Sequence, residues 1–261
     1  FKDITIHINF KAPLTKESAA LRAVLAFVMT SATKKYPTNA LLSSYLDDLY
    51  GASLGANVST KGQSHIISLR TTAVNQEFLP VNDDLLEKQI DLLNEVLFTP
   101  LVNHQSFDQD LVEIKKKEII ARIQQGLDDK MNYSIDQLYH YMGMNTPIDI
   151  SAIGEKEDVE KIKGEDVFQA YLSMLQNDDK HVYIVGDIDE HVVESFKDNL
   201  HFEAHNQEHP VIYDFTSDKD EVLEIIEKQE ITQAKLNLGY TLKTDFKDDD
   251  TEAMSIFVDM L

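Results

Sequence analysis

Residues 52–74 read ASLGANVSTKGQSHIISLRTTAV. Two runs rich in Val, Ile, Leu and Thr flank Lys61–Gly62, the pattern of a β-hairpin. Strands joined by so short a turn must run antiparallel. Upstream, residues 3–12 (DITIHINFKA) alternate polar and apolar, the period of a half-buried strand. Helical spacing surrounds these strands. LTKESAALRAVLAFVM (14–29) has Thr15 as its N-cap, and NALLSSYLDDLYG (39–51) stops at Gly51. DDLLEKQIDLLNEVLF (83–98) is an amphipathic helix closed by Pro100. Ser106–Phe107–Asp108–Gln109 fits a capping box and opens a long helix to about residue 129.

Further helices are expected over YSIDQLYHYM (133–142), GEDVFQAYLSML (164–175) and DEHVVESFKDNL (189–200). KHVYIVGDI (180–188) is an almost continuous apolar strand. Mixed strands and helices with a hairpin indicate an α+β fold, a mixed or antiparallel sheet packed with helices, in preference to a doubly wound parallel sheet. Residues 201–222 lose periodicity and read as a linker. EITQAKLNLGYTLKT (230–244) alternates again as a strand, and DDDTEAMSIFVDML (248–261) starts a helix with aspartates at its positive end. The strand, polar loop and helix at the start therefore recur at the end. The expected organisation is a first domain over 1–200, a linker over 201–222, and the opening of a second, homologous domain over 223–261, cut within its helix.

Composition narrows the function. The chain has 261 residues, 43% of them hydrophobic, enough for a sizeable core. Its formal net charge of -22 repels nucleic acid and anionic lipid and favours a basic partner, if any. No apolar run approaches the length of a membrane span. Cys is absent, which removes disulfides, thiolate metal sites and Cys nucleophiles, and suits a reducing cytoplasm. P-loop, GxSxG and Rossmann fingerprints are missing.

Taken in order, four pieces resemble the pitrilysin/insulinase family of zinc peptidases. They are ATKKYPTNALLSSYLDDLYGA after the first helix, the hairpin itself, SFDQDLVEIKKKEIIARIQQ on the long helix, and HVYIVGDID followed by ITQAKLNLGY. The resemblance covers essentially the whole chain and implies an insulinase-like N-terminal domain. Family enzymes carry HxxEH on the first helix. Histidines at i and i+4 share one face and can grip one Zn²⁺, and the Glu between them takes a proton from metal-bound water. A Glu on the long helix completes the ligand set. Matched through the TKKYPT loop, the ligand positions fall at Ala23 and Phe27 and the base at Ala26. With Glu118 as anchor, the third ligand position falls at Gln125.

None of these four residues can do the family's chemistry. Residues 19–32 contain no His, Asp or Glu, so a one-residue slip does not restore the site. The resemblance therefore implies a non-catalytic member without metal or cofactor. It implies as partners an active HxxEH-bearing homologue and a peptide or unfolded polypeptide, while the charge and the lack of a long apolar run argue for no nucleic acid and no membrane. The same apolar residues would also suit an ordinary core face, and only the resemblance separates the two readings. On the hairpin's edge strand the family often has Asn-Ala where this chain has Gly55–Ala56. That strand could still take up a peptide through backbone hydrogen bonds, so Gly55 and Ala56 are the peptide-binding candidates. The alternatives are a free-standing peptide-binding or scaffold protein, or an enzyme with an unrecognised site. His201, His205 and His209 could form a metal stripe only on a helix, and Pro210 and the lost periodicity argue for a solvated linker. His65 and His140 read as structural histidines, Asp128–Asp129 as a solvated helix end, and Asp248–Asp250 as a helix start.

Overall fold

The computed structural model describes residues 1–80, 84–144, 146–200, 202, 222–241 and 248–260. The chain opens with β1 (Asp3–Pro13), α1 (Lys16–Met29) and α2 (Asn39–Asp48). The hairpin follows as β2 (Ser53–Lys61) and β3 (Ser64–Val74), then α3 (Leu85–Phe98). A two-residue ribbon, β4 (Val102–Asn103) with β5 (Ser106–Phe107), leads into α4 (Gln109–Asp128). After it come α5 (Lys130–Gly143), α6 (Lys156–Lys161), α7 (Gly164–Asn177), β6 (Asp179–Val185), α8 (Glu190–Asn199) and α9 (Thr251–Met260).

Four strands form one sheet in the order β2-β3-β1-β6, each antiparallel to its neighbour. The central strand β1 pairs with β3 from Asp3↔Val74 to Pro13↔Ser64 and with β6 from Thr5↔Val185 to Lys11↔Asp179. Its alternation translates directly into burial: Ile4, Ile6, Ile8 and Phe10 point into the core, and Thr5, His7 and Asn9 lie half-buried on the other face. α1, α3 and α7 lie against the sheet, and α1 in turn packs on α4 and α6. The sheet and helices share one core, with Ile6, Ile8, Phe10, Leu25, Met29, Leu69, Leu93 and Val112 fully buried in it.

Several expectations need correction. Ser106 is not the cap of the long helix. It is held in the β4–β5 ribbon, and Asp108 accepts from Leu111 N–H at 2.9 Å instead. β6 forms as expected, and among the described strands it pairs with β1 alone. It is an edge strand whose Val182 and Ile184 face the core while Tyr183 and Val185 are exposed. Asp129 is more than a solvated end: it caps α5, accepting from Met131 and Asn132 N–H. The strand expected over 230–244 does not form in its described part. Residues 222–241 hold no helix or strand, and Leu236, Leu238 and Tyr240 are exposed. Alternation marks a chain that can form a strand, but a strand exists only where a second one completes its ladder.

Candidate functional site

The site read from the sequence is built on α1. Thr15 Oγ1 accepts from Ser18 N–H at 3.2 Å and starts the helix. At the other end Thr30 Oγ1 donates to the Ala26 carbonyl at 3.3 Å, and Ser31 Oγ donates to that of Phe27 at 2.7 Å. Carbonyls that a helix end leaves without partners are thereby satisfied. Between these caps, Ala23 and Ala26 are both 0% exposed and belong to the main core. Phe27 lies half-buried at the rim of that core. The Arg122 guanidinium, projecting from α4, sits 4.4 Å from the centre of the Phe27 ring, a cation–π contact. Gln125 lies one turn further along α4 and is exposed.

These four positions do not fit a zinc ion. Ala23, Ala26 and Phe27 have no donor atom, and Gln125 offers a neutral amide where zinc takes imidazole, thiolate or carboxylate. Among the described residues no group of three or more His, Asp or Glu is placed to hold a metal. His201, His205 and His209 lie outside the described residues.

The peptide-binding candidates are on β2, which has β3 on one side and no strand of the described sheet on the other. Gly55 is exposed opposite Arg70, and Ala56 is half-buried opposite Leu69. A Cβ on Gly55 would meet nothing within 4 Å, so the glycine keeps this stretch of edge bare rather than relieving a clash. α1 packs against both β2 and α4.

A second polar arrangement escaped the sequence reading. Arg22, one residue before Ala23, is buried. Its Nε donates to His65 Nδ1 at 3.1 Å, and its Nη2 donates to the Phe10 carbonyl at 3.1 Å and to Asp178 Oδ2 at 2.7 Å. With Nδ1 accepting, His65 carries its proton on Nε2 and donates it to the Ala152 carbonyl at 2.8 Å. Burial pushes the His65 pKa down to about 4; the Ala152 carbonyl opposes the fall and the Arg22 cation adds to it. The imidazole is neutral and structural, as expected. Burial also raises the Asp178 pKa, against the pull of Arg22. The network ties α1 to β1, to β3 and to the start of β6. The one sequence signal for it was a charged residue inside the apolar stripe of the first helix. His140 is likewise structural, with its Nδ1 2.6 Å from Asp149 Oδ1. Lys116, also buried, gives its ammonium to Glu113 and to the Glu160 and Ile162 carbonyls at the end of α6.

Comparison with known proteins adds context. No family model matches the chain. Over 258 residues, 98% of its length, it is 35% identical to a protein of Bacillus subtilis (strain 168) named probable inactive metalloprotease YmfF. The chain spans 60% of that relative's length. A conserved protein from Enterococcus faecalis V583 shares the fold with a TM-score of 0.76 at 24% identity, over 82% of this chain and 50% of that one. A peptidase M16 inactive domain from Pseudomonas fluorescens superposes with a TM-score of 0.58 at 13% identity, over 76% of this chain and 45% of its own. The first half of the periplasmic protease PqqL from Escherichia coli gives 0.60 at 16% identity, over 80% and 44% respectively. At these identities the structural likenesses establish the fold. No helix among the described residues is long and apolar enough to cross a membrane.

Proposed function

We propose that this chain is a silent member of the pitrilysin/insulinase family of peptidases, one that lacks the metal-binding motif, holds peptide and leaves cleavage to a partner. The observation that carries this reading is the α1 face, where Ala23 and Ala26 are sealed in the core and Phe27 lies under Arg122. We assign Ala23, Phe27 and Gln125 as lost ligand positions and Ala26 as the lost base position. Residues 1–200 form the insulinase-like domain on this reading, and 223–261 open a second one.

The free edge of β2 supplies the binding surface. An extended peptide laid against Gly55 and Ala56 would complete the ladder with its own amides and carbonyls, which gives affinity without demanding a sequence. The partner is a second domain of the same family, one that bears HxxEH. The kinship named for the Bacillus relative supports the silent role, and the division of the Escherichia coli protease into halves supports pairing.

The test is hydrogen exchange on the chain with an extended, amidated, uncharged peptide. Protection of the β2 amides over 53–61, lost when alternate peptide nitrogens are methylated, is the expected result. The chain alone should leave the peptide intact and carry no stoichiometric zinc by elemental analysis. One zinc per chain together with hydrolysis would overturn the silent role, and unchanged exchange over β2 would overturn the binding role.

A further inference from the structure

Two atoms of the Arg22 network are left over. Arg22 and Asp178 are 6% and 3% exposed, and charged groups so deeply buried normally have every polar atom engaged. The Arg22 Nε and Nη2 donors go to His65, to the Phe10 carbonyl and to Asp178 Oδ2. Nη1 has no partner among the described residues, and neither has Asp178 Oδ1. Among those residues Gln89 Oε1 is the one fully covered side-chain polar atom that lacks a hydrogen bond, so Nη1 and Oδ1 each keep some exposed surface.

Both side chains line one cavity of about 430 Å³, set between the end of β1, the start of α1 and the second half of α7. That is the size of a site for a small molecule. Its lining includes Ser18 and Leu21 of α1 and Gln169 and Ser173 of α7. Gln169 and Ser173 are exposed and form the rim, whereas the buried Arg22 and Asp178 form the floor. Ser173 Oγ accepts from Asn177 Nδ2 at 3.1 Å, which leaves its own proton to donate. The floor pair is neutral as a whole, and the nearby Lys180 and Asp179 carry opposite charges. An anion drawn to Arg22 would meet the Asp178 carboxylate, and a cation drawn to Asp178 would meet the guanidinium. A neutral group with one acceptor and one donor on neighbouring atoms satisfies both leftover atoms. A primary carboxamide carries that pair on a single rigid plane.

We propose that this cavity binds a small neutral molecule through a primary carboxamide, whose oxygen accepts from Arg22 Nη1 and whose N–H donates to Asp178 Oδ1. Gln169 and Ser173 hold the polar remainder of the molecule at the rim. The site lies on α1 and α7, not on β2, and does not depend on the peptide-binding reading.

NMR titration of the ¹⁵N-labelled full chain with three probes tests it. Propionamide has both the oxygen and the N–H groups. N,N-dimethylpropionamide keeps the oxygen and has no N–H. Propionate has no N–H and adds a negative charge. Propionamide should shift the amides of residues 12–22 and 169–178 saturably in the millimolar range, with an affinity about tenfold above that of either other probe, the scale of one lost hydrogen bond to a charged group. Ser173→Leu puts an apolar side chain into the cavity from an exposed position of α7, so it should abolish these shifts without changing the melting temperature. Absence of a saturable propionamide shift would overturn the proposal, leaving a cavity that holds water only. Equal affinity for the three probes, or tighter binding of propionate, would overturn the assigned donor and acceptor pair. The ranking in the wild type decides this whether or not the variant folds. Undiminished binding to a folded Ser173→Leu chain would place the amide elsewhere and overturn the site.

Discussion

Acidification should weaken this protein through one side chain, His65. In the unfolded chain the imidazole takes up its proton near its ordinary value of 6.5, whereas the folded imidazole stays neutral until about pH 4. Across that interval the unfolded state binds more protons than the native state. Stability therefore falls as pH drops from 6.5 to 4 and is indifferent to His65 above and below it. At about 1.4 kcal/mol per pH unit the full loss is about 3 kcal/mol, of which about 2 kcal/mol falls between about pH 7.5 and 5. Asp178 works in the opposite sense. Its raised pKa lets the native state take up that proton before the unfolded chain does, so its contribution grows as pH falls through the raised value toward 3.8. The assay is urea unfolding at a series of pH values on the wild type and on His65→Gln, an uncharged side chain that can still hydrogen-bond. Asp178 and the surface carboxylates titrate in both proteins, so the difference between the two isolates the imidazole. Wild type should lose about 2 kcal/mol relative to the variant over the upper part of the window. A difference that stays flat from about pH 7.5 to 5 would refute the account of His65 as a desolvated neutral base held between Arg22 and Ala152.

Installing the family motif at the proposed positions, Ala23→His, Ala26→Glu, Phe27→His and Gln125→Glu together, should be required for zinc uptake, and any single change should leave elemental zinc at background. The zinc-free quadruple variant should melt earlier, having lost a few kcal/mol by placing unpaired polar groups on a core face. Asp178→Ala should cost about 3–5 kcal/mol in denaturant unfolding, because it leaves the Arg22 cation buried without its counter-ion. Gly154→Ala should destabilise by at least about 1–3 kcal/mol in the same assay. The φ of Gly154 is +71° and a Cβ there would lie 2.5 Å from the Ala20 Cβ, with α1 backbone behind it. Lys116→Met should cost about 1–3 kcal/mol by leaving the Glu160 and Ile162 carbonyls short of a donor.

The sequence by itself determined the local structure and the lack of metal-binding groups on the first helix. The alternation in β1, the turn at Lys61–Gly62, the Thr15 cap and the apolar spacing of α1 are short-range patterns, each read within a dozen residues. The absence of His, Asp and Glu from residues 19–32 needs no structure, because Ala and Phe side chains carry no donor in any conformation. Tertiary structure decided which patterns found partners. Among the described residues it put β2 at an edge of the sheet and β1 in the centre, and left residues 231–240 without a ladder although they alternate like a strand. It brought Arg22 to His65 and Asp178, 43 and 156 residues away, and laid Arg122 on Phe27 while Lys115 occupied Glu118. The physical reason is the reach of each term. Periodicity states which face of an element must leave water, and hydrophobic burial is non-directional, so many partners satisfy it equally. A ladder, an ion pair or a cation on a ring is directional, and it exists only between groups that the packed chain has already brought within a few ångströms of each other.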